Sequence, residues 1–301
     1  MNLEEYCKYD ATGLAELVRN GDVSAKELAE FAAEGVVKVN PMLNAVIEVF
    51  RDRVDTLDES TIPDGPFRGV PFFLKDLGPR QKGRLQEAGS RLMKGYIAEY
   101  SSFITEKIEL SGLNIMGRTT CPEYGLTGTT ESVLTGVTAN PWDTDKIAGG
   151  SSGGSAAITA AGVVPMCHSN DGGGSTRLPA SICGNAGMKH SRGRVSYAPE
   201  GCDLLFPLFS EGVNARTIRD LAGFLDAVMG PAPGEGIPWA RPERPYVEEV
   251  SCNPGKLKIA VCTDKFGTVS YDKYVAAETT RVAKLCEKAG HIVEEAAPEM
   301  N

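Results

Sequence analysis

Two serines and a lysine stand where their types and spacing could do chemistry. Ser151 and Ser175 lie near the two ends of the stretch Gly149–Arg177, GGSSGGSAAITAAGVVPMCHSNDGGGSTR, and each is flanked by glycine. Glycine admits positive φ and lets another chain or a substrate approach the main chain, so Gly172-Gly173-Gly174-Ser175 can aim several N–H groups at one small volume. That is a way to build an anion or oxyanion site. Taken alone, GGSSGGS has the composition of a flexible linker. Its sequel argues otherwise, because Ser152 to Gly162 reads as a helix of small residues and Val163 to Met166 as a buried strand. A phosphate loop is disfavoured too: that pattern ends in Gly-Lys-Ser/Thr, and no lysine lies between Lys146 and Lys189.

A serine nucleophile needs a base, usually histidine, and this chain has only His168, His190 and His291. His168 sits on what reads as the strand leading into the glycine run; a structural role is the simpler reading for all three. Lys75 offers an alternative. It ends the apolar run Gly69-Val-Pro-Phe-Phe-Leu-Lys75-Asp76, which reads as a buried strand. A lysine after a strand is commonly solvated or paired with a carboxylate, but desolvation at the end of a buried strand can lower its pKa enough to make it a base near neutral pH.

The elements that must position these residues follow from the rest of the chain. Its 301 residues suffice for a sizeable core, and the strand and helix signals alternate. Asp10 to Arg19 has helical spacing, and Ser24-Ala-Lys-Glu27 is a capping box opening a second helix that should end near Asn40-Pro41. Asn44 to Phe50 is β-rich. Ser101 to Ser111 reads as an amphipathic helix and Leu113 to Met116 as a strand, and the long Thr-, Gly- and Pro-rich connection Gly117 to Asp145 is of the kind that carries function. A helix at Thr217 to Met229 precedes the polar, Pro-rich connection Pro231 to Pro245. Lys256 to Cys262, Asp272 to Ala289 and His291 to Glu295 then read strand, helix, strand. The expectation is an α/β fold in one domain, 1–301, with a mixed, largely parallel central sheet covered by helices.

Composition narrows the function. A net charge of −9 argues against nucleic acid as the main partner, since nonspecific binding to phosphate backbones is built on Lys and Arg. No stretch reaches the length of a membrane span, and the acidic, polar start MNLEEYCKYD is unlike a signal peptide. The eight cysteines are scattered without a C-x-x-C pair, which reads as reduced thiols and a cytoplasmic location rather than a disulfide framework or metal site.

GGSSGGSAA at Gly149, D-G-G-G-S-T-R at Asp171 and the Lys75-Asp76 pair together resemble the amidase signature family of serine amide hydrolases. The likeness runs from VSAKEL and NPMLNAV through GRTTCPEYGLTGTTE and ANPWD to ARTIRDLAGFLDAVMG and KLKIAVC. Within the family, SNDGGGSTRLPASICG followed by RGRVS is similar to the hydrolases of nylon oligomers. The resemblance implies that Ser175 is the nucleophile, that Ser151 follows a cis peptide from Gly150 and bridges, and that Lys75 is the terminal base. It implies an oxyanion hole from the N–H groups of Gly172, Gly173, Gly174 and Ser175. Asp171 and Arg177 flank the loop, either paired to support it or separately solvated. The family often has Thr where Gly172 stands, and Lys-Pro-Thr where Lys189-His190-Ser191 stands. It also continues past Glu295, which implies C-terminal truncation.

The function implied is hydrolysis of a small linear or cyclic amide, without metal or cofactor, and a homodimer is left open. Two alternatives stand beside it. One is the glutamine-hydrolysing subunit of an aminoacyl-tRNA amidotransferase; the other is an inactive fragment or interaction module.

Overall fold

A computed structural model of the chain describes residues 1–201, 208–235, 240–266 and 269–297; Cys202 and part of the Pro231–Pro245 connection lie outside them. The chain divides into two compact units, Met1–Val250 and Ser251–Asn301.

In the first unit the helix Ala11–Asn20 is capped by Asp10, whose side chain accepts from Gly13 N–H. Its other free donors are met from far along the chain: Ala11 N–H and Thr12 N–H donate to the buried Asp220 carboxylate at 2.7 and 2.9 Å. Four N–H groups at a helix start have no partner within the helix, so this contact ties the N-terminal helix to Ile218–Val228. The helix Ala25–Leu43 opens with the expected Ser24/Glu27 capping box and buries Leu28, Ala29, Ala32 and Val36. It runs through Pro41 to Leu43, beyond the expected end, and stops at Asn44 in the left-handed region with φ 47°.

Strand Pro71–Lys75 pairs parallel with Asn114–Thr119, which pairs antiparallel with Val46–Val49. A second small sheet places Ser210–Ala215 between Met166–Asp171 and Ala186–Gly187, both antiparallel. Among the described residues the largely parallel central sheet expected from the alternation of elements is not seen; the fold is α/β with small, mixed sheets. Alternation records the order of elements along the chain, whereas strand direction depends on which strand each connection returns to.

The strands Pro71–Lys75 and Met166–Asp171 belong to different sheets but are joined by side chains. Cys167 Sγ donates to Phe73 O at 3.3 Å, and Lys75 N–H to His168 Nδ1 at 3.4 Å. Both strands are buried throughout. Phe72 stacks on Phe224 of Ile218–Val228, with ring centroids 6.0 Å apart, closing the core behind them. Each large apolar side chain so buried contributes roughly 1.5–3 kcal/mol.

The helix Gly153–Ala160 is buried along its first two turns, and its small residues make that possible. A Cβ at Gly154 would sit 2.4 Å from Thr120 Oγ1 and 2.6 Å from Ala45 O, so the backbone approach there requires glycine.

In the second unit, Lys258–Val261 and Ile292–Glu295 pair parallel and are connected through the helix Lys273–Lys288, the strand-helix-strand order read from the sequence.

Candidate active site

The expected strand at Val163–Met166 begins only at Met166 and continues to Asp171, carrying His168, Ser169, Asn170 and Asp171 as buried residues. Buried polar groups need partners, and here the partners define the site. Lys75, at the end of its strand, is 1% exposed. Its Nζ donates to Ser151 Oγ at 2.6 Å and to Asn170 Oδ1 at 2.7 Å. Desolvation lowers the Lys75 pKa to about 8, against the opposing pull of Cys121, Glu211 and Asp171 nearby.

Ser151 is 1% exposed and follows a cis peptide from Gly150. A Cβ on Gly150 would meet the Thr129 main chain at 2.4 Å, so this turn is held against the neighbouring loop. Thr130 Oγ1 secures it from both sides, donating to Gly149 O at 2.8 Å and accepting from Gly153 N–H at 3.0 Å.

Ser175 lies on the loop between Met166–Asp171 and the helix Arg177–Cys183 and is half-buried. Ser152 N–H donates to Ser175 O at 3.2 Å, so the two serine loops are joined through their main chains. Ser151, Asn170, Gly172, Gly173 and Ser175 line one cavity of about 400 Å³, walled by Leu77, Leu126, Leu178, Leu208 and Phe209. Among the described residues no hydrogen bond joins the Ser151 and Ser175 hydroxyls.

Asp171 and Arg177 form a pair rather than two solvated charges. Arg177 Nε and Nη2 donate to the Asp171 carboxylate at 2.8 and 3.0 Å, and Arg177 N–H adds a bond at 3.3 Å. Gly174 N–H also donates to Asp171 Oδ1, at 2.7 Å. Of the four N–H groups expected to form an oxyanion hole, that of Gly174 is thus engaged by the Asp171 carboxylate.

A comparison of family patterns matches residues 27–300 to the family described as Amidase. The chain belongs to the amidase family. It is 40% identical over 295 residues to a 6-aminohexanoate-cyclic-dimer hydrolase of Paenarthrobacter ureafaciens, covering 96% of this chain and 59% of that protein. A protein of the same description from Pseudomonas sp. (strain NK87) is 39% identical over the same shares. A solved structure of 6-aminohexanoate cyclic dimer hydrolase superposes with a TM-score of 0.92 at 38% identity, covering 99% of this chain and 62% of that one. The chain thus spans about three-fifths of the length of these relatives.

For this amidase-family chain the structure also brings in residues that the sequence reading passed over. Asn170, read there only as part of a motif, contacts Lys75 directly. His168 is structural, as expected: its Nδ1 accepts from Lys75 N–H, so its Nε2 carries the proton and donates to Glu211 Oε2 at 2.7 Å. Glu211 itself is 2% exposed and had no sequence signal, since it sits inside a strand with no neighbouring motif. Asp76, beside Lys75, pairs with Arg118 and accepts from the main chain at Glu87 and Gly89, which makes it a support of the loop after the strand. No helix among the described residues is long and apolar enough to cross a membrane.

Proposed function

We propose that this chain carries the machinery for hydrolysing the amide bond of a small molecule, with Ser175 as nucleophile, Ser151 as bridge and Lys75 as base. The observation that carries this reading is the 2.6 Å contact between Lys75 Nζ and Ser151 Oγ in a buried site that shares a cavity with Ser175. A lysine with its pKa drawn down to about 8 is substantially neutral near that pH and can accept a proton.

In the first half-reaction Lys75 takes the Ser151 proton as Ser151 takes that of Ser175, and Ser175 Oγ attacks the amide carbon. Ser151 and Ser175 line the same cavity, and the relay requires their hydroxyls to come within hydrogen-bond distance there. The negative charge that develops on the carbonyl oxygen faces the N–H groups of Gly172, Gly173 and Ser175, each well-placed donor contributing roughly 3 kcal/mol. The proton then returns through Ser151 to the amide nitrogen, the C–N bond breaks, and the amine leaves an ester on Ser175. Water, deprotonated along the same route, attacks that ester and releases the acid.

The cavity and the relatives support a substrate class. At about 400 Å³, lined by leucines and Phe209 together with Ser151, Asn170 and Ser175, the cavity suits a compact amide with methylene segments. Amides of 6-aminohexanoate, linear or cyclic, are the first compounds to screen, because similar proteins are described by that substrate.

The test is labelling of the purified chain with a fluorophosphonate, followed by peptide mapping of the adduct. An adduct on Ser175 that is lost in Lys75→Ala supports the assignment. Absence of labelling in the folded chain, or an adduct elsewhere, removes it and favours the inactive-fragment alternative.

A further inference from the structure

Lys75 Nζ has two partners, and only one of them is a serine. The second, Asn170, is 2% exposed and its orientation is set independently of Lys75, because its Nδ2 donates to Leu77 O at 2.9 Å. A carbonyl can only accept, so the amide nitrogen must face Leu77 and the amide oxygen must face Lys75. We propose that Asn170 is a positioning residue whose Oδ1 holds one N–H of Lys75 so that the amine lone pair faces Ser151 Oγ. This rests on the reading of Lys75 as the base.

The argument is one of valence. A neutral amine has two N–H groups and one lone pair, and rotation about the terminal C–N bond decides where the lone pair points. Asn170 Oδ1, 2.7 Å away, offers only acceptor density, so a lone pair aimed at it is repelled and an N–H is attracted. Ser151 Oγ, at 2.6 Å on another side, can donate, and is the group left to meet the lone pair. The strand end is held as well, through Lys75 N–H to His168 Nδ1 and His168 Nε2 to Glu211. Asn170 thus links the exit of one strand, at Leu77, to the amine that the strand delivers.

Other groups around Lys75 bear on its protonation and must be kept constant in any test. Glu211, Asp171 and Cys121 act on it through space, and His168 contacts its main chain. Arg118 lines, with Lys75, a second cavity apart from the one that holds the serines, and pairs with Asp76, Glu48 and Glu87. The packed helix Gly153–Ala160 has no titratable side chain, and the charged residues of Ala25–Leu43 are exposed.

Two substitutions separate positioning from mere packing because they move Lys75 in opposite directions. Asn170→Asp is nearly isosteric and places a carboxylate against the amine, favouring the ammonium; Asn170→Ala removes an acceptor that also favours it. The pH dependence of fluorophosphonate labelling and the ¹³Cε titration of Lys75, assigned by its loss in Lys75→Met, are measured for each. In Asn170→Asp the acid limb and the NMR midpoint are expected to rise by about one unit or more. In Asn170→Ala both are expected to fall, while the plateau labelling rate drops about tenfold or more because the amine is no longer oriented.

A structural residue would lower the plateau without moving the limb in either direction. Unchanged midpoints and plateaus in both variants, with Lys75→Ala inactive, would overturn the role of Asn170 and leave Lys75 as the base. Labelling that persists in Lys75→Ala would overturn the catalytic reading. In that case the NMR midpoints still decide whether Asn170 governs the amine, and an unmoved midpoint in Asn170→Asp refutes it.

Discussion

Lys75 Nζ and Ser151 Oγ lie 2.6 Å apart although the two residues are 76 positions apart in the chain. One ends a fully buried strand and the other follows a cis peptide at the entrance to a helix of small residues. The contact exists because that helix can press its glycines against Thr120, Thr130 and Ala45, bringing Ser151 down to the strand end.

Removing the proposed nucleophile or base should separate cleanly in rate. Ser175→Ala is expected to reduce labelling and turnover to background, and Lys75→Ala to reduce them by about 10²–10⁴-fold, the range typical of a general base. Turnover retained in Ser175→Ala refutes the assignment.

Activity should fall on the acid side. With the Lys75 pKa lowered to about 8, the neutral amine is lost as pH drops below that value, and the rate then declines about tenfold per unit. The labelling rate between pH 5 and 9 at constant ionic strength measures this. A flat profile would mean that Lys75 is not the base.

The same lysine should limit stability. Its pKa is lower in the folded state than the ordinary 10.5, so the unfolded chain binds the extra proton between about 8 and 10.5. Its contribution to stability therefore improves as pH rises through that window, and the full penalty applies below it. At 1.36 kcal/mol per unit the penalty is about 3–3.5 kcal/mol. Lys75→Met should remove most of it, offset by the lost bonds to Ser151 and Asn170, and melt a few degrees higher at pH 7 while being inactive. Thermal unfolding measures this, and a lower midpoint would show that the hydrogen bonds outweigh desolvation.

Asp171 should matter more than Arg177. Burial pushes the Asp171 carboxyl up, but the Arg177 side-chain bonds, with Gly174 and Arg177 N–H, outweigh it and hold the pKa below the usual carboxylate value. That stabilisation is present above the ordinary unfolded pKa and is lost as pH falls through the folded one. Asp171→Ala leaves the loop donors unpaired and is expected to cost about 2–4 kcal/mol and most of the activity. Arg177→Gln, at a half-exposed guanidinium screened by solvent, should cost about 1 kcal/mol or less. Denaturant unfolding of the two variants compares them, and equal losses would contradict this ranking.

A methyl group at Gly154 should be felt at the site. Gly154→Ala meets Thr120 and the Ala45 carbonyl at 2.4 and 2.6 Å, and is expected to destabilise by about 1–3 kcal/mol. It should also lower the labelling rate by displacing Ser151. Wild-type stability and rate would show that the helix shifts freely.

Much of the local structure is legible in the chain. Asp10, Ser24 and Thr217 cap helices where their side chains suggest it, and the second unit repeats the strand, helix and strand read from its periodicity. These signals act over a few residues. The buried strand Met166–Asp171 was harder to place, because its polar half looks like loop until its partners are known.

The sequence alone determined the elements, the glycine-flanked serines and the family pattern, since caps, periodicity and motif spacing are short-range or positional. Only the tertiary structure decided that the sheets are small and mixed, that Gly174 N–H belongs to Asp171, and that Asn170 and Glu211 surround Lys75. Those facts depend on which distant groups are buried together. Burial is what makes a hydrogen-bond partner obligatory and draws down the pKa of a lysine, and no local stretch of chain encodes it.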